Sequence, residues 1–286
     1  MKKLLIAFTV LCIFASCDDG DIIVTSFDFD DIDLEYCTGA DSYVFFKIND
    51  QAAESLSLLA NINEEDLKDN DALEIQLNGT SNFMTYRKYN SEVASDYFCN
   101  DIPPASPEVT IEYIASSGTA TLTKEVSLDD NDGVEEAIDD DLDTDMDGIP
   151  NYYDSDDDGD NVRTAIEIGT GDEPQDTDGD GIADYLDPDD DGDKVPTRYE
   201  AMGTLDPTSI DTDENGVADY LEVLVDNSDP IDEYVAHSYT LVSNVLIFLS
   251  DLVLQSDSEV ITQESLDFDS ISNIVNTTET VIPDFN

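Results

Sequence analysis

One acidic pattern recurs five times between Asp143 and Glu222, and it limits what this chain can fold into more than any other feature. Each copy spans twelve positions, with oxygen-bearing side chains at 1, 3, 5, 9 and 12 and an aliphatic residue at 7. In the first copy these are Asp143, Asp145, Asp147, Asn151 and Asp154, with Ile149 at position 7. In the second they are Asp156, Asp158, Asp160, Thr164 and Glu167, with Val162. Asp176, Asp178, Asp180, Asp184 and Asp187 follow with Ile182, then Asp189, Asp191, Asp193, Thr197 and Glu200 with Val195. The fifth copy is Asp211, Asp213, Asn215, Asp219 and Glu222, with Val217. A solvated acidic linker is the plain alternative. Random acidic runs, however, do not keep Gly and aliphatic residues in phase.

Calcium is a hard cation that takes six to eight oxygens at about 2.3–2.6 Å, and a twelve-residue loop can wrap it from positions 1, 3, 5, 7, 9 and 12. Position 7 gives its backbone carbonyl, which explains why an aliphatic side chain is tolerated there. Position 6 must turn sharply. Gly148, Gly181 and Gly216 suit it, Asn161 tolerates a left-handed backbone, and Lys194 is the exception, so the fourth loop is expected to be the most strained or the weakest binder. Asp154 and Asp187 stand just before the next loop and can be shared with it. Magnesium prefers fewer carboxylates and more retained water, and zinc prefers Cys or His, which this segment lacks.

The position of the aliphatic residue and the interruptions at Pro150, Pro188 and Pro196 separate this pattern from helix-loop-helix calcium proteins. It resembles thrombospondin type 3 repeats, the calcium-filled acidic loops of extracellular proteins and of many surface proteins of Bacteroidota-type bacteria. The resemblance covers residues 143–222 and implies a calcium-ordered segment without implying a biochemical role. Asp143 to Asp176 is 33 residues, so two loops and a spacer form one period. Such periodicity implies that each unit contacts mainly its neighbours.

Residues 1–16 read as a targeting segment: Lys2 and Lys3, an apolar run from Leu4 to Phe14, then Ala15-Ser16. The following Cys17 resembles the lipidated cysteine of bacterial lipoproteins. Asp18, Asp19 and Asp21 in the tether 17–21 resemble a surface-export signal, implying an outer-membrane, cell-surface location with the membrane held through Cys17. Ordinary signal cleavage with a free Cys17 is the alternative. The formal net charge of −60 becomes −62 once Lys2 and Lys3 leave with the segment, so nucleic acid and anionic headgroups are poor partners. Charge of that size opposes compaction unless cations neutralise it.

Cys37 and Cys99 are the cysteines left after processing, and in an exported chain they most simply form one disulfide; two buried thiols are the alternative.

The expected fold class is mainly β. Residues 22–128 carry short alternating runs, such as 42–48, 72–77, 83–89, 108–114 and 119–126, expected to form a β-sandwich-like domain. Asn78-Gly79, Pro103-Pro104 and Ser117-Gly118 are expected to punctuate them, and residues 52–67 to hold a short helix or a loop. Tyr and Phe residues here are expected in the core. An acidic linker, 129–142, leads into the irregular repeat segment, 143–222. In 223–286, two long strands around a turn at residues 256–258 are expected to make a hairpin that completes the sandwich.

No enzyme is expected. His237 is the only histidine, in a polar stretch that suggests solvent exposure, and neither a Gly-x-Ser-x-Gly elbow nor a phosphate-cradling Gly loop is present. The sequence supports a calcium-binding, lipid-anchored surface protein with a structural, adhesive or interaction role towards an unknown protein or glycan. A glycan-binding accessory lipoprotein using the β-domain is the alternative, which a row of exposed aromatics on one sheet face would favour.

Overall fold

The computed structural model describes residues 27, 29–39, 41–100, 102, 104–134, 142–223 and 228–283. The targeting segment, Cys17 and its tether lie outside the described residues, as do residues 135–141 of the acidic linker.

The fold is mainly β, as expected. The strands are β1 (Glu35–Thr38), β2 (Tyr43–Asn49), β3 (Glu54–Ala60), β4 (Leu73–Gln76), β5 (Phe83–Tyr89), β6 (Val109–Asp129), β7 (His237–Gln255) and β8 (Val260–Val281). They line up in one sheet in the order β1-β2-β3-β5-β6-β7-β8, with β4 also paired to β6. The chain divides into two compact units, and the long strands β6, β7 and β8 contribute to both.

In the first unit, β1, β2, β3, β5 and the start of β6 pair antiparallel. Phe45 opposes Leu58, and Leu58 opposes Met84. All three are fully buried, so adjacent strands stack one apolar row. The Ser residues alternating with them are also buried, and Ser57 Oγ lies 2.7 Å from Thr85 Oγ1 on β5. Residues 54–60 thus form a strand, and the short helix expected within 52–67 is confined to the single turn Glu65–Leu67. The strand's polar positions are hydroxyls that pair with each other across strands, which makes the Ser-Leu alternation compatible with burial on both faces.

Cys37 and Cys99 form the disulfide, with Cα atoms 5.3 Å apart, joining β1 to the one-turn helix Asp96–Cys99. Phe46 and Phe98 stack beside it at 4.5 Å between ring centres.

Ser117-Gly118 does not end a strand. β6 runs through it for 21 residues. Gly118 has φ +129°, and a Cβ there would lie 2.9 Å from Leu252 Cδ2 and from the Ser250 carbonyl oxygen on β7. The glycine marks a close approach of two strands, the other common reason for glycine inside a sheet.

The second unit contains β6 from Thr121, β7 up to Ile247, β8 from Phe268, and the whole acidic segment. Leu241, Val245 and Ile247 alternate inward along β7. The hairpin expected after Glu222 is present as β7 and β8, and β7 lies next to β6 in the sheet. The acidic segment is therefore the connection between two neighbouring strands.

Candidate metal centre

The five acidic stretches fold alike because their side chains hydrogen-bond to their own backbone in a fixed scheme. The position-9 N–H donates to the carbonyl just before position 1: Asn151 to Leu142, Thr164 to Ser155, Asp184 to Gln175, Thr197 to Pro188 and Asp219 to Ile210, at 2.8–3.2 Å. In return the position-9 side chain accepts from the position-2 N–H, as in Thr144 to Asn151 Oδ1 at 3.0 Å and Asp157 to Thr164 Oγ1 at 3.1 Å. The same bond joins Thr177 to Asp184, Asp190 to Thr197 and Thr212 to Asp219. Asn151, Thr164, Asp184, Thr197 and Asp219 thus clamp the two ends of each loop. This is the reason an amide, a hydroxyl or a carboxylate all serve at this position.

Positions 3 and 5 make Asx turns. Asp145 Oδ1 accepts from the Asp147 N–H at 3.0 Å, and Asp147 Oδ1 from the Ile149 N–H at 2.7 Å. The equivalents hold Asp158, Asp160 and Val162, Asp178, Asp180 and Ile182, and Asp191, Asp193 and Val195. At position 1, Asp143, Asp156, Asp189 and Asp211 accept from the position-6 N–H, whereas Asp176 accepts from Gly179. Position 6 has positive φ throughout, including Lys194 at +81°, so the fourth loop keeps the turn with a residue that bears a strain glycine would avoid. Position 4 also has positive φ in every copy, at Met146, Gly159, Gly179, Gly192 and Glu214. That second left-handed position was not read from the sequence, although three of its five residues are glycine.

Each of these bonds uses one carboxylate oxygen and leaves the other to find a partner elsewhere. Asp143 Oδ1, Asp145 Oδ2, Asp147 Oδ2, Asp156 Oδ1, Asp158 Oδ2, Asp160 Oδ2, Asp189 Oδ1 and Asp191 Oδ2 are buried without a hydrogen-bond partner. Uncompensated buried carboxylates are expensive, and in proteins they are paired or coordinate metals. Asp143, Asp145 and Asp147 converge so that one oxygen of each lies within 4.8 Å of the others; so do Asp176, Asp178 and Asp180, and Asp189, Asp191 and Asp193. A fourth group draws Asp158, Asp160 and Glu167 together with Asp190. These clusters have the composition and spacing to hold a metal ion, and their all-oxygen donors fit a hard one.

Burial is the main reason the most enclosed acids of the loops hold protons more tightly. It pushes Asp145 and Asp156 up to about 7, Asp191 to about 6 and Glu200 to about 8. Glu167 rises to about 11, burial leading and repulsion from Asp158 and Asp190 adding to it. A divalent cation supplies the opposite bias, favouring the charged forms.

Position 12 divides by loop. Asp154 and Asp187 each use one oxygen on the first N–H of the following loop, to Asp156 at 3.0 Å and Asp189 at 3.1 Å. Glu167 and Glu200 are buried. Glu222 instead accepts from Asn215 Nδ2 at 2.8 Å. Asn215 Nδ2 also donates to Asp213 Oδ2, so the fifth loop closes on an amide donor, and Asp211, Asp213 and Asp219 join no carboxylate cluster among the described residues. Of the position-7 residues, Ile149 and Val162 bury their side chains while Ile182 and Val217 expose theirs.

His237 corrects a sequence expectation. It is fully buried, with Nδ1 2.5 Å from Asp154 Oδ1 and Nε2 3.8 Å from Asp156 Oδ2. Burial alone would lower its pKa, but Asp154, Asp156 and Asp147 together raise it. Its place at the start of the strand that follows the acidic segment, where the connection must close, is what buries it.

No protein-family model matches the chain, and no curated protein or solved structure matches it either.

Proposed function

We propose that this is a calcium-binding, lipid-anchored cell-surface protein whose acidic connection is made rigid by bound calcium and serves a structural or adhesive role. The observation carrying this reading is the orientation of buried, unpartnered carboxylate oxygens towards one another in the first, second and fourth loops. Calcium satisfies many carboxylates at once and tolerates irregular geometry, which magnesium does not. The anchor and the surface location rest on Lys2, Lys3, the apolar run and the small residues before Cys17. Tyr43, Phe45, Phe46, Tyr86, Tyr89 and Tyr113 are buried, which favours a scaffold over a stacking platform for sugars.

Limited proteolysis of the full chain with calcium and with chelator tests this. The reading expects protection across residues 143–222 in calcium and rapid cutting there in chelator. Identical digestion in both conditions contradicts it.

A further inference from the structure

The cluster at Asp158, Asp160, Glu167 and Asp190 does not belong to one loop. Asp158, Asp160 and Glu167 are positions 3, 5 and 12 of the second loop, whereas Asp190 is position 2 of the fourth. All four residues are at most 5% exposed, and one oxygen of each lies within 4.8 Å of the others. Asp158 and Asp160 each use one oxygen on a backbone N–H, of Asp160 and Val162. Their second oxygens, and both oxygens of Glu167, have no hydrogen-bond partner. Glu167 is thus an unpartnered carboxylate almost wholly out of water and aimed at three others. No lysine or arginine is among the groups it senses most strongly, which are Asp158, Asp190, Asp156 and Asp184.

Position 2 distinguishes the loops. It is Thr144, Thr177 and Thr212 in the first, third and fifth, but Asp157 and Asp190 in the second and fourth. A residue that only closed its loop would need nothing but its backbone N–H, which every copy already gives to position 9. A carboxylate at Asp190 is therefore surplus to loop closure, and its side chain meets the second loop.

We infer that Asp158, Asp160, Glu167 and Asp190 form a shared site for a hard divalent cation that fastens the fourth loop to the second. Asp158 Oδ2, Asp160 Oδ2 and both oxygens of Glu167 and of Asp190 carry no hydrogen bond, and such a set is enough for calcium without a backbone ligand. The ion then acts as a staple between successive 33-residue periods and not only as the filling of one loop. This rests on the calcium reading above.

The test uses the full chain with calcium chloride, and with Asp190→Asn and Asp190→Thr, the latter placing at position 2 the residue the odd-numbered loops use. Asp172→Asn, on an exposed spacer residue, controls for charge. Calorimetric titration is expected to show one ion fewer, or one affinity weakened at least tenfold, in both Asp190 variants and no change in the control. In chelator both variants are expected to melt above the parent, because a buried carboxyl crowded by other carboxyls has gone; in calcium they melt below it. That crossing separates a ligand from a packing residue. Unchanged stoichiometry and affinity in both variants overturns the shared site while leaving the loop sites intact. A parent chain that takes up no calcium overturns the underlying reading instead.

Discussion

His237 Nδ1 lies 2.5 Å from Asp154 Oδ1, and neither side chain reaches solvent. His237 opens β7, and Asp154 ends the first acidic loop, so this contact ties the end of the connection to the strand it feeds. Asp154 also accepts the Asp156 N–H at 3.0 Å, so the same carboxylate orders the start of the second loop. Removing one partner of a buried pair leaves the other uncompensated and typically costs about 3–5 kcal/mol. His237→Gln is therefore expected to lower the melting temperature in calcium and to weaken calcium binding about tenfold or more, as loss of a ligand-orienting partner does. Thermal melts with and without calcium measure both effects.

The position-9 clamp makes a separate prediction. Thr164 and Thr197 are fully buried, and their hydroxyls accept the N–H of Asp157 and Asp190. Thr164→Val keeps the shape and strands a buried donor, at a cost of about 1–3 kcal/mol. Thr197→Val is expected to match it, since the fourth loop uses the same bond. Denaturant titration in saturating calcium gives the two values.

Glycine at position 4 has two different grounds. A Cβ on Gly192 would lie 2.5 Å from Asp178 Oδ2 of the third loop, and one on Gly159 would collide with Asp145 of the first. Around Gly179 nothing lies within 4 Å. Gly179→Ala is therefore expected to cost only its left-handed backbone, about 1–2 kcal/mol. Gly192→Ala adds displacement of Asp178 and is expected to weaken calcium binding in the third and fourth loops, which Gly179→Ala leaves nearly unchanged. Calorimetry on the two variants separates strain from lost coordination.

Acid has opposite effects with and without calcium. Asp145, Asp156 and Asp191 have folded-state pKa values of about 7, 7 and 6, raised first by burial from an ordinary 3.8. A carboxyl whose pKa is higher in the folded state binds more protons there, so stability without calcium is expected to rise as pH falls from about 8 to about 4. Calcium needs the deprotonated groups, so its affinity is expected to fall over the same range and binding near pH 6 to release protons. Melts in chelator across pH, and titrations in buffers of different ionisation enthalpy, test the two signs.

Much of this was readable from the chain, and the misses have physical causes. The phase of Asp, Gly and aliphatic residues placed all five loops, because each Asx turn needs its acid at a set spacing from its donor. The period did not reveal what one loop does to another, so Asp190 escaped notice even though Asp replaces Thr at position 2 in alternate copies. His237 was misplaced because a polar neighbourhood in sequence says little about a residue at the mouth of a long connection. Ser117-Gly118 read as a turn because glycine marks both turns and close strand approaches, and only the neighbouring Ser250 and Leu252 decide between them. Within residues 52–67, expected as a short helix or a loop, the strand 54–60 escapes the pattern because hydroxyl pairs such as Ser57 and Thr85 place polar side chains inside a sheet.

The most direct measurement of the central claim is equilibrium dialysis of the full chain against micromolar calcium, with the retained ion counted by atomic emission. The account predicts about four or more tightly held ions per chain, from the four carboxylate clusters that carry loop ligands. Retention no greater than that of an equally acidic unfolded polypeptide would contradict it.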